Sequence, residues 1–146
     1  MKKKRLIVAA VLVCLFCIIG SASAQTYRIE EGRQLMEFSQ YVIDQGQIME
    51  KCACTDTAAL LKQGGELVQK GSDVLAQSMM MKTKQGRFVS GQLGKKLMAA
   101  GNLLTNKGKQ AGPLTDKDTG EVNSFGRDMV AFGNLKLQQA KVLCGK

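Results

Sequence analysis

The sequence predicts an all-α domain built as a four-helix bundle, and three observations carry that expectation. Apolar residues recur at offsets of three and four in four separate stretches of the chain. No alternating apolar and polar stretch bounded by turn residues marks a strand, and Val and Ile are scarce beyond residue 24. A pattern of a small residue, an aliphatic one three positions on and a glycine seven positions on recurs as Ser39/Val42/Gly46, Gly64/Leu67/Gly71, Gly94/Leu97/Gly101 and Gly126/Met129/Gly133. Those offsets share one helical face, so each helix offers a similar notched stripe. Short connections favour an antiparallel arrangement, with one long crossover between the third and fourth helices as the variant.

The chain opens on Lys2, Lys3, Lys4 and Arg5, then an apolar run over 6–19, then Ser21, Ala22, Ser23 and Ala24. A basic start, an apolar stretch too short to span a bilayer and a small-residue cleavage site describe a secretory signal peptide cut after Ala24. Cys14 and Cys17 lie inside the apolar run behind Val13 and Phe16, which disfavours a lipidated cysteine. The expected organisation is therefore a leader over 1–24 and one helical-bundle domain over 25–146, periplasmic or secreted, with no transmembrane segment after processing.

The first helix is expected over about 28–51, with Thr26 as cap and Leu35, Phe38, Val42 and Met49 on one face. Cys52, Ala53 and Cys54 form the corner, and Thr55, Asp56 and Thr57 supply caps for a second helix reaching about Met80. The third is expected over about 87–109, or continuous with the second through Gly86. Pro113 and the Thr, Asp and Gly residues around it give 113–120 loop composition, and Asp118 with Glu121 suggests a capping box for a fourth helix reaching about Leu143.

Charge is unevenly placed. Losing residues 2–5 lowers the basic count from 21 to 17 against 12 acidic residues, so the processed domain carries +5 rather than the +9 of the whole chain. Over 25–78 acids outnumber bases, whereas 79–112 holds Lys82, Lys84, Arg87, Lys95, Lys96, Lys107 and Lys109 with no acid. Lys82, Lys84, Arg87, Lys95 and Lys96 are the candidate contact surface for an anionic envelope component or a protein partner. The plainer alternative is a face that complements the acidic first and second helices. Nucleic acid fits poorly, because Phe88 is the one aromatic residue in that segment.

Glycine inside a helix costs about 1 kcal/mol relative to alanine, so Gly46, Gly64, Gly71, Gly94, Gly101, Gly126 and Gly133 together cost about 6 kcal/mol. Two uses would offset that: close approach of neighbouring helices, or a notch holding an apolar ligand.

Three cysteines remain after processing: Cys52, Cys54 and Cys144. An odd number in an oxidising compartment implies one disulfide and one further thiol. A staple from Cys144 to Cys52 or Cys54 is expected if the fourth helix is reversed by a crossover, while a simple up-down bundle leaves only the Cys52–Cys54 pair. The same thiols, with Met79, Met80 and Met81, are candidate ligands for a soft metal such as Cu(I) or Zn.

The chain has no histidine, which removes the commonest general base and the ordinary catalytic triads. No glycine-rich phosphate loop follows a strand, and no cofactor is expected. The composition thus points to a small exported non-enzymatic bundle with a structural or interaction role at a bacterial cell envelope. A thiol-based metal or redox protein and a carrier of an apolar ligand are the alternatives.

Overall fold

The computed structural model describes the backbone of residues 2–145 and the side chains of residues 24–145. Four helices occur among the described residues: α1 (Lys2–Glu50), α2 (Thr57–Met80), α3 (Lys84–Gly108) and α4 (Asp116–Leu143). The leader expected over 1–24 lies, apart from Ala24, outside the residues whose side chains are described. No described helix is long and apolar enough to cross a membrane.

The helix starts follow local hydrogen bonding. Asp56 caps α2 by accepting from the backbone N–H groups of Ala58 and Ala59 at 2.9 and 3.1 Å. Thr83 caps α3 by accepting from Gly86 N at 2.9 Å, three residues earlier than the sequence suggests. The capping box of α4 is also three residues early: Thr115 Oγ1 accepts from Asp118 N while the Asp118 carboxylate accepts from Thr115 N. Thr26, expected to cap the first helix, lies well inside α1, because residues 21–27 contain neither glycine nor proline to break it.

The helices associate first as two close pairs. In α1/α4, Gly32 faces Ala140 and Cys144, Ser39 faces Gly133, and Gly46 faces Gly126. In α2/α3, Gly64 faces Gly101, Gly71 faces Gly94, and Gly108 faces Thr57. Both sets run in opposite senses, so both pairs are antiparallel. Leu35, Val42 and Met49 of α1, Leu67 and Val74 of α2, Leu97 and Leu104 of α3, and Val122 and Met129 of α4 then meet in one continuous core.

The chain runs up and down with no crossover. The connection over 109–115 reaches about 25 Å at full extension, whereas the 28 residues of α4 are about 42 Å long. A short connection of that reach forces α4 to start where α3 ends. One pole, here the proximal pole, holds Ala24, the turn between α2 and α3, and the end of α4. The distal pole holds the Cys52–Cys54 corner and the connection over 109–115.

Candidate functional site: the proximal pole

The turn joining α2 to α3 is built around Glu31 of α1. Its buried carboxylate accepts from the backbone N–H groups of Lys82 and Thr83 and, at 2.5 Å, from the Thr83 hydroxyl. The first turn of α3 has no acid of its own, so Glu31 supplies negative charge to that positive helix end from across the bundle. On the other side of the turn, Arg87 Nη1 donates to the carbonyls of Met81 and Lys82 at 2.8 and 3.1 Å. The turn is thereby held by one acid and one base that never pair with each other.

With Glu31 and Arg87 committed, Lys82 and Lys84 stand exposed at the positive end of α3. Cations near a helix N-terminus oppose the dipole by a few tenths to about 1 kcal/mol each. Lys95 is exposed further along the same helix. Lys96 folds onto α4, its Nζ 4.4 Å from the centre of the Phe125 ring and 5.8 Å from that of Phe132. The five basic residues of the sequence expectation thus divide: three present free ammonium groups, and two are occupied by carbonyls or rings.

Among the described residues the ion pairs join Lys107 to Asp118 at 2.6 Å and to Glu121 at 2.5 Å, between the end of α3 and the start of α4. Lys82, Lys84, Arg87, Lys95 and Lys96 form no such pair with the acids of α1 or α2. Of the five, Lys82, Lys84 and Lys95 have neither an acid, a carbonyl nor a ring as partner among the described residues.

The same pole exposes apolar side chains. Met79 and Met80 are 82% and 79% exposed at the end of α2, and Phe88 is 63% exposed on the first turns of α3. Tyr27 and Ile29, midway along α1, and Val142, at the end of α4, are also exposed at this pole. Two clefts open there, one of about 300 Å³ whose lining includes Tyr27, Glu31, Met80 and Lys82, the other of about 370 Å³ between residues 24–29 and 142–145.

The cysteines divide between the poles, and this corrects the expected staple. Cys52 and Cys54 are bonded to each other at the distal pole, with Cα atoms 5.1 Å apart. Cys54 adopts φ +52°, a left-handed conformation that reverses the chain within the two-residue span. Asn123 of α4 steadies the corner, its amide donating to Met49 O at 2.9 Å and Cys52 O at 3.1 Å. Cys144 is a free thiol at the proximal pole, 3.6 Å from the carbonyl of Ile29. An up-down bundle separates the end of α1 from the end of α4 by the length of the bundle, so Cys144 reaches neither partner.

That separation also takes apart the candidate soft-metal set. Met79 and Met80 project into solvent at the pole opposite the bonded cysteines, and Met81 is buried in the core. Among the described residues no cluster of three Cys, His, Asp or Glu side chains has the geometry to hold a metal ion.

The glycine notches of the carrier alternative are occupied. A Cβ added at Gly64 would stand 2.7 Å from the Gly101 carbonyl oxygen, and one at Gly101 would stand 2.5 Å from that of Gly64. Gly71 and Gly94 stand in the same reciprocal relation, as do Gly46 and Gly126, and Gly133 abuts Ile43 and the Ser39 carbonyl. The neighbouring helix fills the space where an apolar ligand would lie.

Two buried charged residues on core stripes, Glu31 and Lys136, bear on the site. Glu31 lies four residues before Leu35, and Lys136 lies seven after Met129, so periodicity alone assigns both to the interior. Lys136 lies over Phe132 at 5.1 Å and donates to Gln139 at 3.2 Å, and burial lowers its pKa from the ordinary lysine value.

No family model matches this chain, and no similar curated protein or solved structure was found.

Proposed function

We propose that this protein is a non-enzymatic interaction module of the bacterial cell envelope, and that its proximal pole binds an anionic lipid surface. The observation that carries this reading is the set of free ammonium groups on Lys82, Lys84 and Lys95, none of them paired with an acid among the described residues. A basic face that served only to balance α1 and α2 would spend its charges on Glu37, Asp44, Glu66 or Asp73. Two of these lysines instead stand at a helix end where they oppose the dipole, and an external anion offsets that local cost. The leader in the sequence supports an exported location.

The test is binding of the chain beginning at Gln25 to vesicles with and without phosphatidylglycerol. Every buried side chain described lies within 31–143, so that chain retains the core. Replacing Lys82 and Lys84 together by glutamine should weaken binding to anionic vesicles by about 30-fold, at about 1 kcal/mol for each charge near the surface. Arg87 and Lys96 are left in place because they hold the turn and the Phe125 ring. A change below threefold, or no vesicle binding by the parent chain, removes the proposal.

A further inference from the structure

We infer that the proximal pole is an insertion tip, with Met79, Met80 and Phe88 entering the boundary between headgroups and acyl chains of an anionic bilayer while Lys82 and Lys84 meet the phosphates. This rests on the lipid reading above and adds to it a depth and an orientation.

The first observation is the position of the exposed apolar surface. Nine large apolar side chains stand exposed among the described residues, and six of them, Tyr27, Ile29, Met79, Met80, Phe88 and Val142, surround the proximal pole. Isolated exposed apolar residues need no explanation, but a cluster at one end of an elongated bundle marks a contact surface. Methionine suits a fluid partner, because its unbranched, flexible side chain adapts to irregular surroundings.

The second observation is the charge among those side chains. Lys82 and Lys84 lie in sequence between Met80 and Phe88, so the tip alternates apolar and cationic groups over one turn and the start of α3. Exposed Arg28 and Lys141 add to the same sign. Of the two neighbouring acids on α1, Glu31 is consumed by the turn and Glu30 alone stands exposed. Apolar groups backed by cations are the chemistry of an anionic membrane interface. The distal pole has Ile48 and Leu61 exposed but presents mixed charge in Lys51, Asp56, Asp116 and Lys117.

The third observation is Ala24. The residue after which the leader is expected to be cut lies at this pole, in the cleft it shares with Arg28, Ile29 and Val142. A precursor tethered through its leader therefore meets the membrane with this end first.

The chain contains no tryptophan, so a single introduced indole reports its own surroundings. In the chain beginning at Gln25, Met80→Trp should shift its emission to the blue with phosphatidylglycerol vesicles and be quenched by bromine atoms placed on the acyl chains. Ile48→Trp at the distal pole should do neither. Met79→Ser combined with Met80→Ser, both at exposed positions that leave the core intact, should lower partitioning by about tenfold or more. If vesicle binding persists and depends on Lys82 and Lys84 while the indole at position 80 is unmoved, the pole rests on headgroups by charge alone and insertion is overturned, with the lipid reading intact. A blue shift at position 48 instead of 80 overturns the orientation. If the parent chain binds no vesicles, both proposals fall.

Discussion

Gly101 and Gly65 lie in neighbouring helices with identical chemistry and opposite surroundings. A methyl group at Gly101 would press on the Gly64 carbonyl oxygen at 2.5 Å and on Val68 N at 2.7 Å, whereas one at Gly65 would meet nothing within 4 Å. Alanine gains about 1 kcal/mol of helix propensity at either position. At Gly101 overpacking against rigid backbone opposes it by about 1–3 kcal/mol. Gly101→Ala should therefore fail to stabilise the domain, with a net loss of up to about 2 kcal/mol, while Gly65→Ala raises stability by about 0.5–1 kcal/mol, as read from urea unfolding midpoints. Equal effects of one sign would mean that helix propensity, not contact, decides at these sites. The reciprocal carbonyls also give a physical reason for the glycines: Cα–H groups facing carbonyl oxygens across a close interface contribute weakly but repeatedly.

At the scale of elements, each pole is fastened by a charged group reaching between helices. At the distal pole Lys107 of α3 bonds Asp118 and Glu121 of α4, and Asp118 also completes the capping box. The Lys107 hydrogen bond, then those from Thr115, hold the Asp118 carboxyl far below the usual carboxylate range. The same bonds, to Asp118 first and Glu121 second, raise the Lys107 pKa above the ordinary lysine value. A carboxyl lowered in the folded state contributes stability that is present above its unfolded pKa, near 4, and is lost as pH falls through the folded value. A lysine raised in the folded state contributes below its unfolded pKa and loses that contribution as pH rises through the folded one. Asp118→Asn should therefore be less stable than the parent at pH 7, with the gap closing as thermal melts are taken from about pH 5 towards pH 2. A gap that stays constant across that range would assign the loss to the cap alone. The element boundaries were partly legible in the sequence. The chemistry of both early caps was visible in Thr83 and Thr115, but each start has several residues able to cap, and packing of the turn against Glu31 or Lys107 selects among them.

For the whole molecule, the decisive fact is the sense in which α4 runs. Because α4 starts beside the end of α3, Cys52, Cys54 and Cys144 divide between the poles, and in the unfolded, unreduced chain beginning at Gln25 one thiol should react with iodoacetamide. Mass spectrometry of the peptides should place that label on Cys144 and find Cys52 and Cys54 linked in one peptide. Labelling at Cys52 or Cys54, with Cys144 bridged, would require α4 to run the other way. The number of helices, the glycine stripes and the basic third quarter could all be read from the sequence, because each is a local property of residue type and spacing.

The sequence by itself determined that the chain is all-α, that four stripes of small residues alternate with core aliphatics, and that an unbalanced positive charge lies over 79–112. Periodicity and composition act within one or two turns, so no partner is needed to read them. Only the tertiary structure decided which stripes meet, that helix backbones and not a ligand fill the notches, and that Cys144 stands apart from Cys52 and Cys54. It also decided that Glu31 and Arg87 are spent on the turn while Lys82 and Lys84 remain free among exposed methionines. These outcomes depend on which helix ends share a pole, and that is set by the reach of the 109–115 connection and by packing between segments far apart in the chain.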